Sequence, residues 1–213
     1  MNLLLAIHSY PLANAGVQRH WPFYEKSGAQ KILGIGTTDG GCKWPEGVES
    51  VDIGQNSYIQ GDILPRRLVN TMRLMLLMPF DRFCIIEWDC LFFHPLPPFD
   101  GMAAFHAGNS LPGMKAKRFH HVPWGFDYET GQAFVKQADK MLKDVEGHEA
   151  SPDVFLGWVA EEAGIEIHQP WIGFSRNSLD NPADVELARE ARLAGAVAIH
   201  GIKTSENLRR ILE

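Results

Sequence analysis

The sequence predicts an α/β domain built on a mostly parallel sheet, and three observations carry that expectation. Stretches that read as strands alternate with stretches that read as helices along the chain. The strand stretches are near-continuous apolar runs, as expected when helices cover both faces of a sheet. No repeat, low-complexity tract or charge block interrupts the 213 residues, so a single domain, 1–213, is expected.

The first strand is "NLLLAIHSY". A short helix, "GVQRHWPFYEKSG", follows and ends at Gly28, and "KILGIGTTDGG" is a second strand that runs into a Gly-rich turn. "VESVDIG" is the third strand. From Pro65, the apolar residues Leu68, Val69, Met72, Met75 and Leu76 recur at helical spacing until Pro79 stops the run. The strand "FCIIEWDCLFF" comes next, then the strand candidate "GMAAFHAGN" and the amphipathic helix "QAFVKQADKMLKDVEG". "SPDVFLGWVAEEAG" reads as a helix with Ser151 as N-cap, Pro152 at the first position and Gly164 at its end. A helix rich in Ala, Glu and Arg, the strand "AVAIHGIKT" and a short terminal helix close the chain.

Composition narrows the function classes. With 45% hydrophobic residues the chain can bury a sizeable core, and a formal net charge of -6 gives no general attraction for nucleic acid or anionic membranes. Three cysteines, Cys42, Cys84 and Cys90, none in a CxxC pair, suggest a reducing compartment and no zinc knot. "MNLLLAIHSYP" lacks a basic leader, and "RLMLLMP" falls far short of the roughly 20 residues that span a bilayer. A cytoplasmic protein with no transmembrane segment is the expectation.

The run Phe83 to Pro97 poses the chemical question, because Glu87 and Asp89 interrupt an apolar strand. Residues two apart on a strand project from one face, so the two carboxylates would point together, with Trp88 and Cys90 on the other side. Side by side and buried, they would force one carboxyl to keep its proton unless a cation lay between them. A hard divalent ion such as Mg²⁺ or Mn²⁺, shared with substrate phosphates, removes the conflict. The bland alternative is a strand that ends at Glu87, leaving both acids in a solvated loop, but the apolar "CLFF" beyond Asp89 argues for the metal reading.

Taken with its surroundings, this stretch resembles a known family. An arginine-bearing helix, "NTMRLMLLMPFD", an apolar strand, then an acid-x-Asp pair and "LFF" resemble the Asp-x-Asp region of nucleotide-sugar-dependent glycosyltransferases of the GT-A fold. "SPDVFLGWVAEEAGI" is similar to the stretch in inverting members where an acid at a helix start acts as catalytic base, and "HGIKT" resembles their His-Gly-x-Lys segment. The ordered set covers most of the chain from Thr71 onward. Two departures are the Glu at position 87, where Asp is commoner, and a length near the small end for the fold.

The resemblance implies a GT-A-like mixed, mostly parallel sheet flanked by helices. It implies transfer of a sugar from a nucleoside-diphosphate sugar, a UDP- or GDP-sugar, to an acceptor hydroxyl, with Mn²⁺ or Mg²⁺ as cofactor. It assigns Asp89 and His200 as metal ligands, with Glu87 meeting the metal through water or the ribose. Lys203 would meet the diphosphate, Arg73 a phosphate or the sugar, and Asp153 would be the base. The nucleotide would lie over the first strand ends, near Ser9, Tyr10, Thr37, Thr38 and Asp39, with Tyr10 stacked on the base. Each residue also has an ordinary reading: Asp153 as helix-start chemistry, His200 as a satisfied core histidine, Lys203 as a solvated lysine, Arg73 as a snorkelling one.

Other patterns carry less. "HSYPLANAGVQRHW" lacks the spacing of either standard phosphate loop, and "TTDGG" alone is a turn. His120 and His121, as strand neighbours, point to opposite faces and make a poor second metal site. Trp124 and Phe126 read as core, or as a platform for a sugar ring. Two further function classes stand beside the glycosyltransferase: another metal-assisted nucleotidyl or phosphoryl transferase, and a non-catalytic protein that binds a sugar nucleotide or a partner.

Overall fold

A computed structural model describes residues 1–54, 63–106, 119–143, 152–176 and 178–213. Its first strand, β1 (Leu3–His8), is apolar at almost every position because both of its faces are covered. Leu4 and Ala6 pack into one core layer, while Leu3, Leu5 and Ile7 pack into another. The near-continuous apolar strands that suggested a sheet covered on both sides therefore have this cause.

Around β1 the chain builds a seven-stranded sheet in the order β3 (Ser50–Asp52), β2 (Lys31–Gly36), β1, β4 (Arg82–Glu87), β7 (Phe119–Asp127), β6 (Met102–His106) and β8 (Ile167–His168). The first four run parallel; β7 is antiparallel to both neighbours, and β8 is parallel to β6. The sheet is thus mixed and mostly parallel, as expected. One face carries α2 (Ile63–Leu76), α3 (Tyr128–Met141) and α4 (Pro152–Glu162), which bury Met72, Phe134 and Phe155 on the sheet. The other carries α5 (Pro182–Leu193), α6 (Ser205–Leu212) and a small second sheet, β5 (Cys90–Phe92), β10 (Ala198–His200) and β9 (Gly173–Ser175). The result is an α/β fold with six α-helices among the described residues.

Local chemistry explains the helix ends. α1 (Asn14–Tyr24) runs into a 3₁₀ turn that stops at Gly28, whose φ of 77° is the left-handed value that glycine adopts without strain. α3 begins at Tyr128, earlier than its apolar stretch suggested, because the Asp127 side chain accepts a hydrogen bond from the Thr130 backbone N–H at 2.8 Å. Asn181 and Thr204 cap α5 and α6 in the same way.

The structure corrects two expectations. The strand through "FCIIEWDCLFF" does not run on: β4 ends at Glu87, Trp88 and Asp89 turn, and "CLF" becomes β5 of the second sheet. Trp124 and Phe126 are fully buried, Trp124 against Phe134 and Phe126 stacked on Phe83, so neither is a platform for a sugar ring. Among the described residues no helix is long and apolar enough to cross a membrane.

Candidate metal centre

The site starts from the turn at the carboxyl end of β4. In parallel register with β1, Glu87 stands beside His8, and the Trp88 N–H donates to the His8 carbonyl at 3.0 Å. The Asp89 carbonyl accepts two bonds, from the N–H groups of Gly201 and Ile202, each at 3.1 Å. Those donors belong to the "HGIK" segment after β10, so the backbone itself ties the acidic turn to His200 across more than a hundred residues. Gly201 has φ 100°, and a Cβ there would lie 2.4 Å from the Arg176 carbonyl oxygen. Only glycine suits that close turn.

The side chains converge accordingly. His200 Nε2 lies 3.3 Å from Asp89 Oδ1 and 3.7 Å from Glu87 Oε2, and Lys203 Nζ lies 3.8 Å from Asp89 Oδ2. Behind the imidazole, the Ser175 hydroxyl lies 2.9 Å from Nδ1 and fixes the ring so that Nε2 faces the acids. The Asp89 side chain is 2% exposed and that of His200 4%, while Lys203 is 41% exposed. The expected continuous strand and the alternative solvated loop are thus both corrected. The strand does end at Glu87, but Asp89 is buried rather than solvated.

The electrostatics follow from this burial. Burial alone would lower the His200 pKa, but the carboxylate of Asp89, helped by that of Glu87, outweighs it and holds the imidazole up at about 9. Without a cation, protonated His200 and Lys203 therefore answer the two carboxylates. With one, the imidazole must give up its proton before it can act as a ligand.

The donor set fits such an ion. Glu87, Asp89 and His200 each offer one ligand atom, and these atoms lie within 4.8 Å of one another. Carboxylate oxygens suit Mg²⁺ and Mn²⁺, and the imidazole nitrogen favours Mn²⁺ of the two. The hydrogen bond between Nδ1 and Ser175 is the kind of support that orients a metal-binding histidine.

Other expected residues divide. Ser9 is 1% exposed at the end of β1, and Thr37, at the end of β2, is 2% exposed; neither hydroxyl has a hydrogen-bond partner among the described residues. Tyr10 meets the Trp88 ring edge-on at 6.3 Å, and Thr38 and Asp39 form an exposed turn after β2. Arg73 is not brought to this corner: it is exposed on α2 and pairs with Asn70 and with Asp139 of α3. Asp153 stands in the first turn of α4, but its side chain lies outside the described residues.

Several residues here escaped the sequence reading. Arg67, 3% exposed on α2, is one: its guanidinium donates to the carbonyls of Ser9, Ile35, Gly36 and Ile53 and ties together the ends of the first three strands. Arg19 of α1 reaches the Ser205 hydroxyl and the Lys203 carbonyl, adding a second cation beside Lys203. His20, fully buried, lies with Nδ1 3.1 Å from the Trp88 carbonyl, and burial lowers its pKa to about 4, so it stays neutral. No protein-family model matches the chain, and no curated protein matches it at a significant level.

Proposed function

We propose that this protein is a metal-dependent glycosyltransferase of the GT-A type, moving a sugar from a nucleoside-diphosphate sugar to an acceptor hydroxyl with inversion. The observation that carries the reading is the convergence of Glu87, Asp89 and His200, with Lys203 alongside, at the carboxyl end of β4. Ligands of open α/β sheets bind at such strand ends. The mixed, mostly parallel sheet is compatible with the fold.

In this reading Asp89, Glu87 and His200 would hold Mn²⁺ or Mg²⁺, and the ion would supply positive charge to stabilise the diphosphate. Lys203 adds its own charge to the leaving nucleoside diphosphate, stabilising the negative charge that grows as the bond to the sugar breaks. Tyr10 and Asp39 line the nucleotide side, with the Tyr10 ring stacked on the base, while Ser9 is buried at the end of β1. Asp153 takes the proton from the acceptor hydroxyl as that oxygen attacks the anomeric carbon from the face opposite the diphosphate. The helix start favours an ionised carboxylate there.

A thermal-shift panel of UDP and GDP, with and without Mn²⁺, tests this on the wild type and on Asp89→Ala. Stabilisation that needs the metal and disappears in the variant is expected, and no nucleotide effect in the wild type overturns the reading. Asp153→Asn is expected to lower turnover about 10²- to 10⁴-fold with nucleotide binding unchanged. Release of pyrophosphate, in place of a nucleoside diphosphate, would mark a nucleotidyl transferase instead.

A further inference from the structure

The helix α1 carries a face that no part of the proposed reaction uses. Gly16, His20 and Tyr24 are spaced four apart, so they line one side of the helix, and all three are buried. Each meets Trp88, the residue between the two acids. A Cβ at Gly16 would lie 2.1 Å from the Trp88 ring, so only the bare glycine backbone leaves room for the indole. The His20 ring stacks on that indole, with centroids 5.8 Å apart and planes 6° apart. His20 Nδ1, at 3.1 Å, and the Tyr24 hydroxyl both donate to the Trp88 carbonyl oxygen.

We propose that Gly16, His20 and Tyr24 form a seat for Trp88 that holds the Glu87 and Asp89 carboxylates in place for a divalent cation. The inference rests on the metal reading above. Its logic lies in the peptide planes. The plane joining Glu87 to Trp88 is fixed by the Trp88 N–H bond to His8, and the plane joining Trp88 to Asp89 is fixed by the two donors from α1. With both planes held, the Cα atoms of both acids are held too. Packing alone would not call for this arrangement, since phenylalanine at position 24 would fill the space, whereas a buried hydroxyl aimed at a carbonyl adds direction. His20, Tyr24 and Gly16 are positioning residues here, acting through Trp88 and touching no substrate.

The test is titration of Mn²⁺ alone into the wild type and four variants, with thermal unfolding of the metal-free proteins in parallel. Tyr24→Phe keeps the ring and removes one donor, and Mn²⁺ affinity is expected to fall about 10-fold, the usual effect of losing a group that orients a metal ligand. Gly16→Ala displaces the indole and weakens Mn²⁺ in the same way. Adding Trp88→Phe to Gly16→Ala makes room again, so the double variant is expected to recover the affinity of Trp88→Phe alone. Variants that melt earlier yet bind Mn²⁺ as the wild type does overturn the seat and leave the metal reading standing. A wild type that binds no Mn²⁺ overturns both. Should Gly16→Ala fail to fold, Tyr24→Phe decides the matter by itself.

Discussion

Two ends of the same sheet hold the same kinds of side chain. At the carboxyl end of β4, Glu87, Asp89 and His200 are 20%, 2% and 4% exposed, and their ligand atoms fall within 4.8 Å. At the opposite end, where β6 begins, Glu129, Glu166 and His168 line a cavity with Gly101 and Thr130. There Glu166 is 83% exposed and His168 51%, with 3.8 Å between them. Exposed charges are screened by water and gain little from proximity, whereas buried ones must be answered by an opposite charge. The difference teaches that residue type alone does not bring such groups together in a buried cluster. At the β4 end the backbone is anchored on both strands of the site: the Asp89 carbonyl is held by Gly201 and Ile202, and the Trp88 carbonyl by α1.

The largest effect that would break this comparison is expected from Asp89→Ala. Mn²⁺ affinity should fall by more than about 100-fold by calorimetry, beyond the loss typical of supporting residues. Next comes the protonation of His200. Its pKa of about 9 in the metal-free fold lies above the 6.5 of an unfolded chain, so its stabilisation is complete below pH 6.5 and is lost as pH rises through 9. Urea unfolding from pH 6 to pH 10 should show a fall of roughly 3 kcal/mol, and His200→Gln should flatten it. Over the same range Mn²⁺ should bind more tightly as the pH rises, because binding displaces the imidazole proton.

A smaller effect is expected from Gly201→Ala, whose left-handed backbone and close approach to Arg176 make any Cβ strained. Denaturant midpoints should report a loss of about 1–3 kcal/mol, and Mn²⁺ affinity should fall as the tie between Asp89 and His200 loosens. The smallest effects sharpen the contrast from the other side. Glu166→Gln and His168→Ala, on the exposed cavity, should change stability by less than about 0.5 kcal/mol and leave Mn²⁺ binding unaltered.

Much of the fold was legible because it rests on local patterns. The apolar run of β1, the helical spacing through Met72 and Met75, the stop at Gly28 and the helix after Pro152 each depend on residues close in sequence. The break at Glu87 was not legible, since "CLF" is as apolar in a second sheet as it would be in the first. The same limit hid Arg67. Periodicity assigns a helix arginine to solvent, and only the assembled strand ends provide the four carbonyls that make its burial favourable. The face of α1 toward Trp88 was invisible for a related reason: a glycine, a histidine and a tyrosine form no apolar stripe. The pairing of Asp89 with His200 came from the family resemblance and not from composition or spacing, and the two residues do meet in one corner.

The central claim is that one divalent ion binds between Glu87, Asp89 and His200. Anomalous diffraction from a crystal soaked in Mn²⁺ tests it most directly. The account predicts one strong peak within coordination distance of Asp89 Oδ1 and His200 Nε2. Crystals with no peak there, or with the ion at Glu166 and His168 instead, would contradict it.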